Sequence, residues 1–165
     1  MLPQRPSSDA LEKLFNNLKR YDHRITETKY CMLIDYELPI FMRRLWIIDT
    51  DSKEIILNSH VSQSYKTGLI YPRKFSNIPG SNLSSIGAFV TGISFNSRFG
   101  YSMLIHGLEI GKNDNVRRRE IIFHSSYSPY SHGCFMTLPH VNKKVIDLTR
   151  NGSFLFVSSE KKKKD

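Results

Sequence analysis

Cys134 is the residue of this sequence best suited to nucleophilic chemistry. It follows Gly133, and nine residues separate it from His124, which ends the apolar run Ile121–Phe123. A catalytic thiol needs a base, amide donors for a developing oxyanion, and access to a substrate. Gly133 allows an unusual backbone conformation, so amides of this turn could point at one oxygen. The pattern indicates a cysteine nucleophile with a histidine base, although burial statistics alone favour a small buried thiol.

Other polar residues near Cys134 allow two interpretations each. His106 could contact a substrate or only form a hydrogen bond with Glu109 in a turn, and His132 could face a cleft or solvent. Asn113–Asn115 could offer oxygen ligands but lacks the spacing of a calcium loop, so a self-bonded turn is the simpler interpretation and no metal is expected. The run Arg117–Arg119 predicts a solvated surface, within which the guanidinium of Arg117 suits a substrate carboxylate.

The elements that position these residues are mostly β. Residues Ser8–Arg20 show helical spacing of Leu11, Leu14, Phe15 and Leu18, with Asp9 and Glu12 as a capping pair. Short β-prone runs follow, separated by turn-forming residues: Tyr30–Tyr36, Leu45–Asp49, Glu54–Val61, Ala88–Ser94 and Tyr101–His106. The polar stretch Gln63–Ser85 predicts a surface loop that carries function or covers a cleft.

The C-terminal third predicts a strand, a helix and a last strand. Residues Glu120–Ser125 form the strand that carries His124, and Pro139–Arg150 form a helix that Gly152 ends. The helix buries a stripe of Val141, Val145, Ile146 and Leu148, and Ser153–Ser158 form the last strand. A rigid strand can hold an imidazole against a facing loop.

Composition predicts one domain with one active site. The chain has 165 residues, 39% of them hydrophobic, and no apolar stretch long enough to span a membrane. Cys31 and Cys134 lie far apart, so we expect two independent thiols, with Cys31 in a core strand. The net charge of +9 includes the run Lys161–Lys164. It suits any acidic partner, including an anionic cell-wall surface, but no nucleic-acid-binding motif is present.

Four segments in order resemble the murein L,D-transpeptidase (YkuD-like) family, in particular the murein L,D-transpeptidase catalytic-domain proteins. The segments are Phe75–Ser81, Ser84–Gly92, Gly100–Arg117, and Ile121–Ser125 followed by Ser131-His132-Gly133-Cys134. The resemblance covers roughly residues 28–158. It implies an L,D-transpeptidase-like fold, either a β-sandwich or a mixed sheet. The helical spacing near the N-terminus predicts that residues 1–27 form a helical segment packed on this body, and the lysine run predicts that residues 159–165 form a basic disordered tail.

The resemblance also implies the roles of the site residues. Cys134 would be the nucleophile, His124 the general base and Ser125 the residue whose carbonyl orients the imidazole. Gly133 and Cys134 would supply oxyanion donors in the turn with Ser131 and His132. Apart from the resemblance, we expect His106, Arg117 and Tyr101 to bind substrate. The substrate would be a peptidoglycan stem tetrapeptide, without a cofactor and without nucleic acid.

The expected reaction releases D-Ala and transfers the acyl group to an amine, which makes a 3–3 cross-link. Water as acceptor would make the protein an L,D-carboxypeptidase, and a non-catalytic cell-wall-binding domain is the third alternative. A carbapenem is expected to acylate Cys134. We expect a monomer located in the cell envelope or periplasm of a bacterium, although the sequence shows no signal peptide and a cytoplasmic location stays open.

Overall fold

Ten strands and two helices make up the protein in the computed structural model, which describes residues 4–159. The strands are β1 (Tyr30–Asp35), β2 (Leu45–Asp49), β3 (Ile55–Ser59), β4 (Gln63–Ser64), β5 (Gly87–Ser97), β6 (Gly100–Gly107), β7 (Ile122–Ser125), β8 (Tyr130–Ser131), β9 (Phe135–Thr137) and β10 (Phe154–Ser158). The helices are α1 (Ser8–Arg20) and α2 (Pro139–Thr149), with a short 3-10 turn at Asp22–Arg24. The mainly β prediction with two helices is confirmed.

Eight strands form one mixed sheet, in the order β3-β2-β1-β10-β5-β6-β7-β9, and β4 pairs separately with β8. Within the large sheet, β1 and β10 are parallel, as are β7 and β9, whereas the other neighbours are antiparallel. His124 on β7 lies opposite Met136 on β9. This pairing brings the strand that carries His124 beside the strand that directly follows Cys134.

The two faces of the sheet are covered by different elements. On β1, successive side chains point to opposite faces, so Cys31 and Leu33 pack with Leu14 of α1. Met32 and Ile34 pack on the other face, in a cluster that includes Val145 and Ile146 of α2. The stripe predicted for α2 is thereby confirmed, as is the core position of Cys31. Both cysteines are free thiols.

The start of α1 differs from the predicted capping pair. Ser7 is the N-cap residue, and its Oγ accepts a hydrogen bond of 3.1 Å from the amide of Ala10. Asp9 lies inside the helix, where its carboxylate pairs with Lys13 at 3.1 Å. The prediction of Asp9 and Glu12 as caps is therefore wrong, although the helix has the predicted bounds.

Two of the predicted boundaries shift at residues with a left-handed backbone. Helix α2 ends at Thr149 rather than at Arg150, because Asn151 already adopts a left-handed backbone with φ 68°, before Gly152. The predicted strand at Glu120 starts two residues later, because Glu120 itself has φ 57°. Both are non-glycine residues in a conformation that interrupts regular structure.

The stretch Gln63–Ser85 is only partly a surface loop. Its first two residues form β4, and Phe75 forms a bridge to Ser84. Ser64 is buried, and its amide donates to Ser84 Oγ at 2.9 Å. The stretch therefore folds back on itself and is anchored to the domain at both ends.

Neither helix within residues 4–159 is long and apolar enough to cross a bilayer. The predicted basic tail, apart from Ser159, lies outside the described residues.

The carboxyl group of Asp35 is buried at the end of β1, where it accepts a hydrogen bond of 3.0 Å from the amide of Glu37. Burial raises its pKa from 3.8 to about 6. A raised folded-state pKa gives a stabilisation that is complete below pH 3.8 and is lost as the pH rises through about 6.

Asp35→Asn should therefore stabilise the protein by about 1 to 3 kcal/mol at pH 8 and leave it unchanged at strongly acidic pH. Asparagine keeps the acceptor for Glu37 without the buried charge. Urea unfolding at several pH values measures the difference, and Asp51→Asn on an exposed turn serves as the control. A difference in unfolding free energy between Asp35→Asn and the wild type that does not change with pH would contradict the raised pKa of Asp35.

Candidate active site

A cavity of about 910 Å³ contains both His124 and Cys134. Its wall includes the tip of the β5–β6 hairpin, the segment before β7 and the turn between β8 and β9. Three guanidinium groups, those of Arg98, Arg117 and Arg119, line it with one carboxylate, that of Glu120. The cavity is therefore a positively charged cleft that favours an anionic ligand.

His124 is held at the end of β7 by its own backbone neighbour. Its Nδ1 lies 2.9 Å from the carbonyl oxygen of Ser125. A carbonyl only accepts hydrogen bonds, so Nδ1 carries the hydrogen and Nε2 of the neutral ring is the acceptor. Phe99 stacks on the imidazole with a centroid distance of 4.2 Å and an interplanar angle of 14°. Sheet, carbonyl and aromatic ring together fix the orientation of the imidazole.

Cys134 lies in a turn that is closed by two serine hydroxyl groups. Ser131 Oγ donates to the carbonyl of Cys134 at 2.8 Å, and Ser62 Oγ donates to the same oxygen at 3.2 Å. The amide of Gly133 donates to Ser131 Oγ at 3.1 Å. Gly133 has φ 122°, and a Cβ there would lie 3.2 Å from the carbonyl oxygen of Leu83. The turn is thus rigid and requires glycine.

The amide of Gly133 therefore points into the turn rather than toward the cavity. The resemblance implies that Gly133 and Cys134 both act as oxyanion donors, and the structure engages Gly133 with Ser131 instead. None of the hydrogen bonds that hold this turn uses the N–H of Cys134. Ser131 is buried and has a positioning role in the turn.

The sulfur of Cys134 faces the segment before β7. The thiol donates to the carbonyl oxygen of Glu120 at 3.7 Å. Burial raises the pKa of this thiol above 9.0, against the opposing effects of the Ile122 amide and of Arg98 and Arg119. Burial also lowers the pKa of His124 below 6.5, with Arg98 lowering it further against the Ser125 carbonyl. At neutral pH the site therefore holds a neutral thiol and a neutral imidazole.

The structure brings some of the predicted substrate-binding residues to this cavity and not others. His132 and Arg117 line it. The exposed ring of His132 packs edge-on against the ring of Tyr65, with a centroid distance of 5.1 Å. His106 and Tyr101 do not line it. The Tyr101 hydroxyl donates to the carboxylate of Asp147 at 2.7 Å, in a separate depression beside α2.

His106 lies on β6 with its ring against Gly92, and burial lowers its pKa, with Arg117 and Arg24 adding to the effect. Neither His106 nor Tyr101 is placed to contact a ligand in the cavity. The Glu109 carboxylate accepts from the amide of Ala88 at 2.8 Å, so it is engaged with β5.

The polar turn Asn113–Asn115 has a structural role. The amide group of Asn113 is fully buried and donates to the carbonyl oxygens of Ile86 and Ala88 at 3.0 and 2.9 Å. Asp114 accepts from the amide of Gly111 at 3.0 Å. Within residues 4–159, no group of three histidine, cysteine or acidic side chains is arranged to hold a metal ion.

Arg119 is a residue of the site whose role the sequence does not reveal. Its guanidinium donates to the carbonyl oxygens of Ser76 and Leu83 at 2.6 and 2.5 Å, and to the hydroxyl groups of Ser85 and Ser81 at 2.9 and 3.2 Å. The expectation of a solvated arginine run is therefore wrong at this position. Arg119 fixes the loop that contributes Asn82 to the cavity lining and whose Leu83 carbonyl oxygen would lie 3.2 Å from a Cβ at Gly133.

Arg119→Lys should destabilise the protein by about 2 kcal/mol or more, because an ammonium group cannot satisfy four acceptors arranged around a planar fork. We expect lower denaturant midpoints and faster proteolysis within residues 76–85. Arg118→Lys is the matched control, since Arg118 is exposed. Equal behaviour of the two variants would contradict the anchoring role of Arg119.

Phe99 and Arg98 were also not identified as site residues from the sequence. The strands β5 and β6 extend beyond their predicted ends, to Ser97 and from Gly100. Their longer hairpin carries the Arg98–Phe99 tip to the imidazole of His124. A phenylalanine between an arginine and a glycine gives no signal in the sequence that it would stack on a histidine 25 positions away.

The comparisons with known proteins concern the family and the fold. The profile of the L,D-transpeptidase catalytic domain family matches residues 4–158. The sequence matches no curated protein.

Solved structures share the fold at low identity. One is a fused Zn-dependent amidase/peptidase/peptidoglycan-binding protein from Clostridium acetobutylicum, with 13% identity, a TM-score of 0.51, and coverage of 96% of this chain and 65% of that chain. L,D-transpeptidases from Stackebrandtia nassauensis and Mycobacterium smegmatis have TM-scores of 0.50, with 13% and 12% identity. The alignment with the Stackebrandtia nassauensis structure covers 85% of this chain and 61% of that chain. The alignment with the Mycobacterium smegmatis structure covers 79% of this chain and 59% of that chain.

The chain thus spans less than two thirds of the length of these structures, and the likeness to them concerns the fold. The family profile extends over nearly the whole described part, from the residues before α1 to the end of β10. The chain therefore belongs to the L,D-transpeptidase catalytic domain family.

Proposed function

We propose that this protein is a cysteine-dependent L,D-transpeptidase that acts on peptidoglycan stem tetrapeptides in the bacterial cell envelope. The observation that carries the proposal is the presence of Cys134 and an oriented His124, with Nε2 as acceptor, in one positively charged cavity. Family membership supports the same reaction class.

In the proposed first step, His124 Nε2 takes the proton of the Cys134 thiol as the sulfur attacks the carbonyl between the third residue and the terminal D-Ala. Because both groups are neutral at rest, the sulfur becomes a strong nucleophile only as His124 takes its proton. The thiol donates to Glu120 in the free protein, and catalytic hydrogen bonds often form only with substrate bound. The imidazolium then protonates the leaving nitrogen, so D-Ala departs and a thioester remains.

In the second step, an amine from another stem peptide attacks the thioester. His124 accepts a proton from that amine, the carbon–sulfur bond breaks, and the thiolate regains its proton from the imidazolium. The Cys134 N–H is the amide of the turn proposed to face the oxyanion in both steps. Because a single imidazole alternates between base and acid, the cycle needs no cofactor.

Substrate charge matches the charge of the cavity. The guanidinium groups of Arg98 and Arg117 are exposed at the cavity, whereas that of Arg119 is engaged by protein acceptors. A stem peptide carries a terminal carboxylate, and guanidinium forks bind carboxylates in a bidentate geometry. We propose Arg117 and Arg98 as the groups that hold it.

Incubation with a disaccharide tetrapeptide, followed by mass spectrometry, tests the function. Transpeptidation predicts free D-Ala together with cross-linked dimers. Release of D-Ala without dimers would identify water as the acceptor and the protein as an L,D-carboxypeptidase. If neither product forms but the protein still binds the tetrapeptide, the enzyme proposal is wrong and the protein is a cell-wall-binding domain.

A further inference from the structure

Four large apolar side chains are exposed together on two adjacent loops. Phe41 is 65% exposed, Leu69 68%, Ile70 52% and Tyr71 47%. The amide of Ile40 donates to the carbonyl oxygen of Ile70 at 2.9 Å, which joins the two loops. We name these four residues the apolar tip. Most exposed apolar side chains of a protein are isolated, whereas a contiguous exposed group marks a surface that contacts another apolar phase.

The apolar tip is held on a structured base. The carbonyl oxygen of Thr67 accepts from the amides of Arg73 and Lys74 at 3.0 and 3.3 Å, which closes the loop below the tip. The side chain of Gln63 donates to the carbonyl oxygen of Gly68 at 2.8 Å. A Cβ at Gly68 would collide with the carbonyl oxygen of Tyr71, so only glycine allows this closure. The fold therefore keeps these side chains in water at a fixed place.

Basic residues surround the apolar tip. Arg43, Lys66, Arg73 and Lys74 are all exposed, and we name them the basic rim. Among residues 4–159, none of the four takes part in an ion pair. The sequence contains no aspartate or glutamate between Glu54 and Glu109, so no carboxylate of this segment reduces the positive potential.

The combination selects one kind of partner. A nucleic acid or an anionic wall polymer would use the basic rim but would gain nothing from exposed leucine and isoleucine side chains. An anionic bilayer uses both, because headgroups attract the cations while apolar and aromatic side chains enter the boundary between headgroups and acyl chains. We propose that the apolar tip and the basic rim form a peripheral docking site for the surface of an anionic phospholipid membrane.

Docking would also set the position of the cavity. The Tyr130 hydroxyl donates to the carbonyl oxygen of Leu69 at 2.7 Å, and Tyr130 lines the cavity that contains Cys134. The docking site and the cavity are thus joined through one side chain, and the bound protein would work close to the bilayer. The docking proposal does not depend on the proposed reaction.

Cosedimentation of the full chain with vesicles tests the proposal. Binding is expected to vesicles of mixed phosphatidylcholine and phosphatidylglycerol, and not to phosphatidylcholine alone. Arg73→Gln with Lys74→Gln should weaken binding by about five-fold for each cation removed, and added salt should weaken binding of the wild type. Leu69→Ser with Ile70→Ser should weaken it by about ten-fold or more.

Matched controls separate docking from general adsorption of a basic protein. Ile93→Ser with Ile110→Ser removes two equally apolar side chains that are 59% and 94% exposed elsewhere, and should leave binding unchanged. Lys19→Gln with Lys144→Gln removes two exposed cations away from the site. The run Lys161–Lys164 is present in every variant, so it cannot account for a difference between them.

A Tyr71→Trp variant reports insertion directly. Its emission should shift to shorter wavelength with anionic vesicles and should be quenched by lipids brominated in the acyl chain, against the constant background of buried Trp46. No binding to anionic vesicles would overturn the proposal. Undiminished binding of the Leu69→Ser, Ile70→Ser variant would also overturn the proposal, because binding would then be electrostatic only. Equally strong binding to a soluble anionic polymer would overturn it for the same reason.

Discussion

Cys134→Ala is expected to abolish D-Ala release, with a loss of at least about 10⁴-fold, because no other group can form the acyl-enzyme. The same variant should no longer gain the mass of a carbapenem on incubation. A β-lactam presents a strained carbonyl to the same sulfur, so the wild-type protein should gain one equivalent. Intact-protein mass spectrometry measures the adduct, and peptide mapping should place it on Cys134.

Cys31→Ala is the matched control. Cys31 is fully buried on β1, and burial raises its pKa to about 11, so it is neither exposed nor ionised. The variant should keep both activities, with a moderate loss of stability from the small cavity that it leaves. If Cys31→Ala loses the adduct, or if wild-type protein with a reduced thiol gains no mass, Cys134 is not the nucleophile.

Loss of His124 is expected to have the second largest effect. His124→Gln should lower the rate of Cys134 acylation by about 10²- to 10⁴-fold, since the thiol with a raised pKa then has no base. In the wild type, the rate should fall on the acid side of pH 6.5, where the imidazole becomes protonated. Because the pKa of His124 is lowered, activity should persist to a pH below that usual value.

Phe99→Ala tests the origin of this lowered pKa. Without the stacked ring, water reaches the imidazole, its pKa moves up toward 6.5, and the acid limb of the pH profile moves up with it. His132→Gln is the control, because it removes an exposed imidazole from the same cavity. The assignment of His124 as the base would be contradicted if His132→Gln lowered the acylation rate as His124→Gln is expected to do. It would also be contradicted if Phe99→Ala left the acid limb of the pH profile unchanged.

The sequence predicted the elements whose pattern is local. The helix Ser8–Arg20 has the predicted bounds because its apolar side chains recur with the period of a helix. The strand Leu45–Asp49 has them because it is a short continuous apolar run that ends in a turn. The two-residue β4 and β8 were not predicted, since each is formed by pairing with a segment more than 60 positions away. Short strands have too few side chains to show a period.

The same distinction applies to the candidate site. The positions of Cys134, His124 and Ser125 follow from one compact motif, and the structure brings them to one cavity. Arg119 and Phe99 act through contacts across the fold, with Ser76 and with His124, that neighbouring residues do not encode. His106 and Tyr101 belong to a matching segment of sequence, but neither lines the cavity, because β6 carries them elsewhere.

The location of β10 between β1 and β5 has a consequence for biosynthesis. This strand comes from the last residues that the structure describes, yet it fills a central position in the sheet and pairs on both sides. A nascent chain whose residues Phe154–Ser158 are still inside the ribosome cannot join the two halves of its sheet, so the sheet is completed only after β10 has emerged. A chain truncated a few residues before Phe154 should therefore be an aggregation-prone product, because β1 and β5 would both keep an unpaired edge.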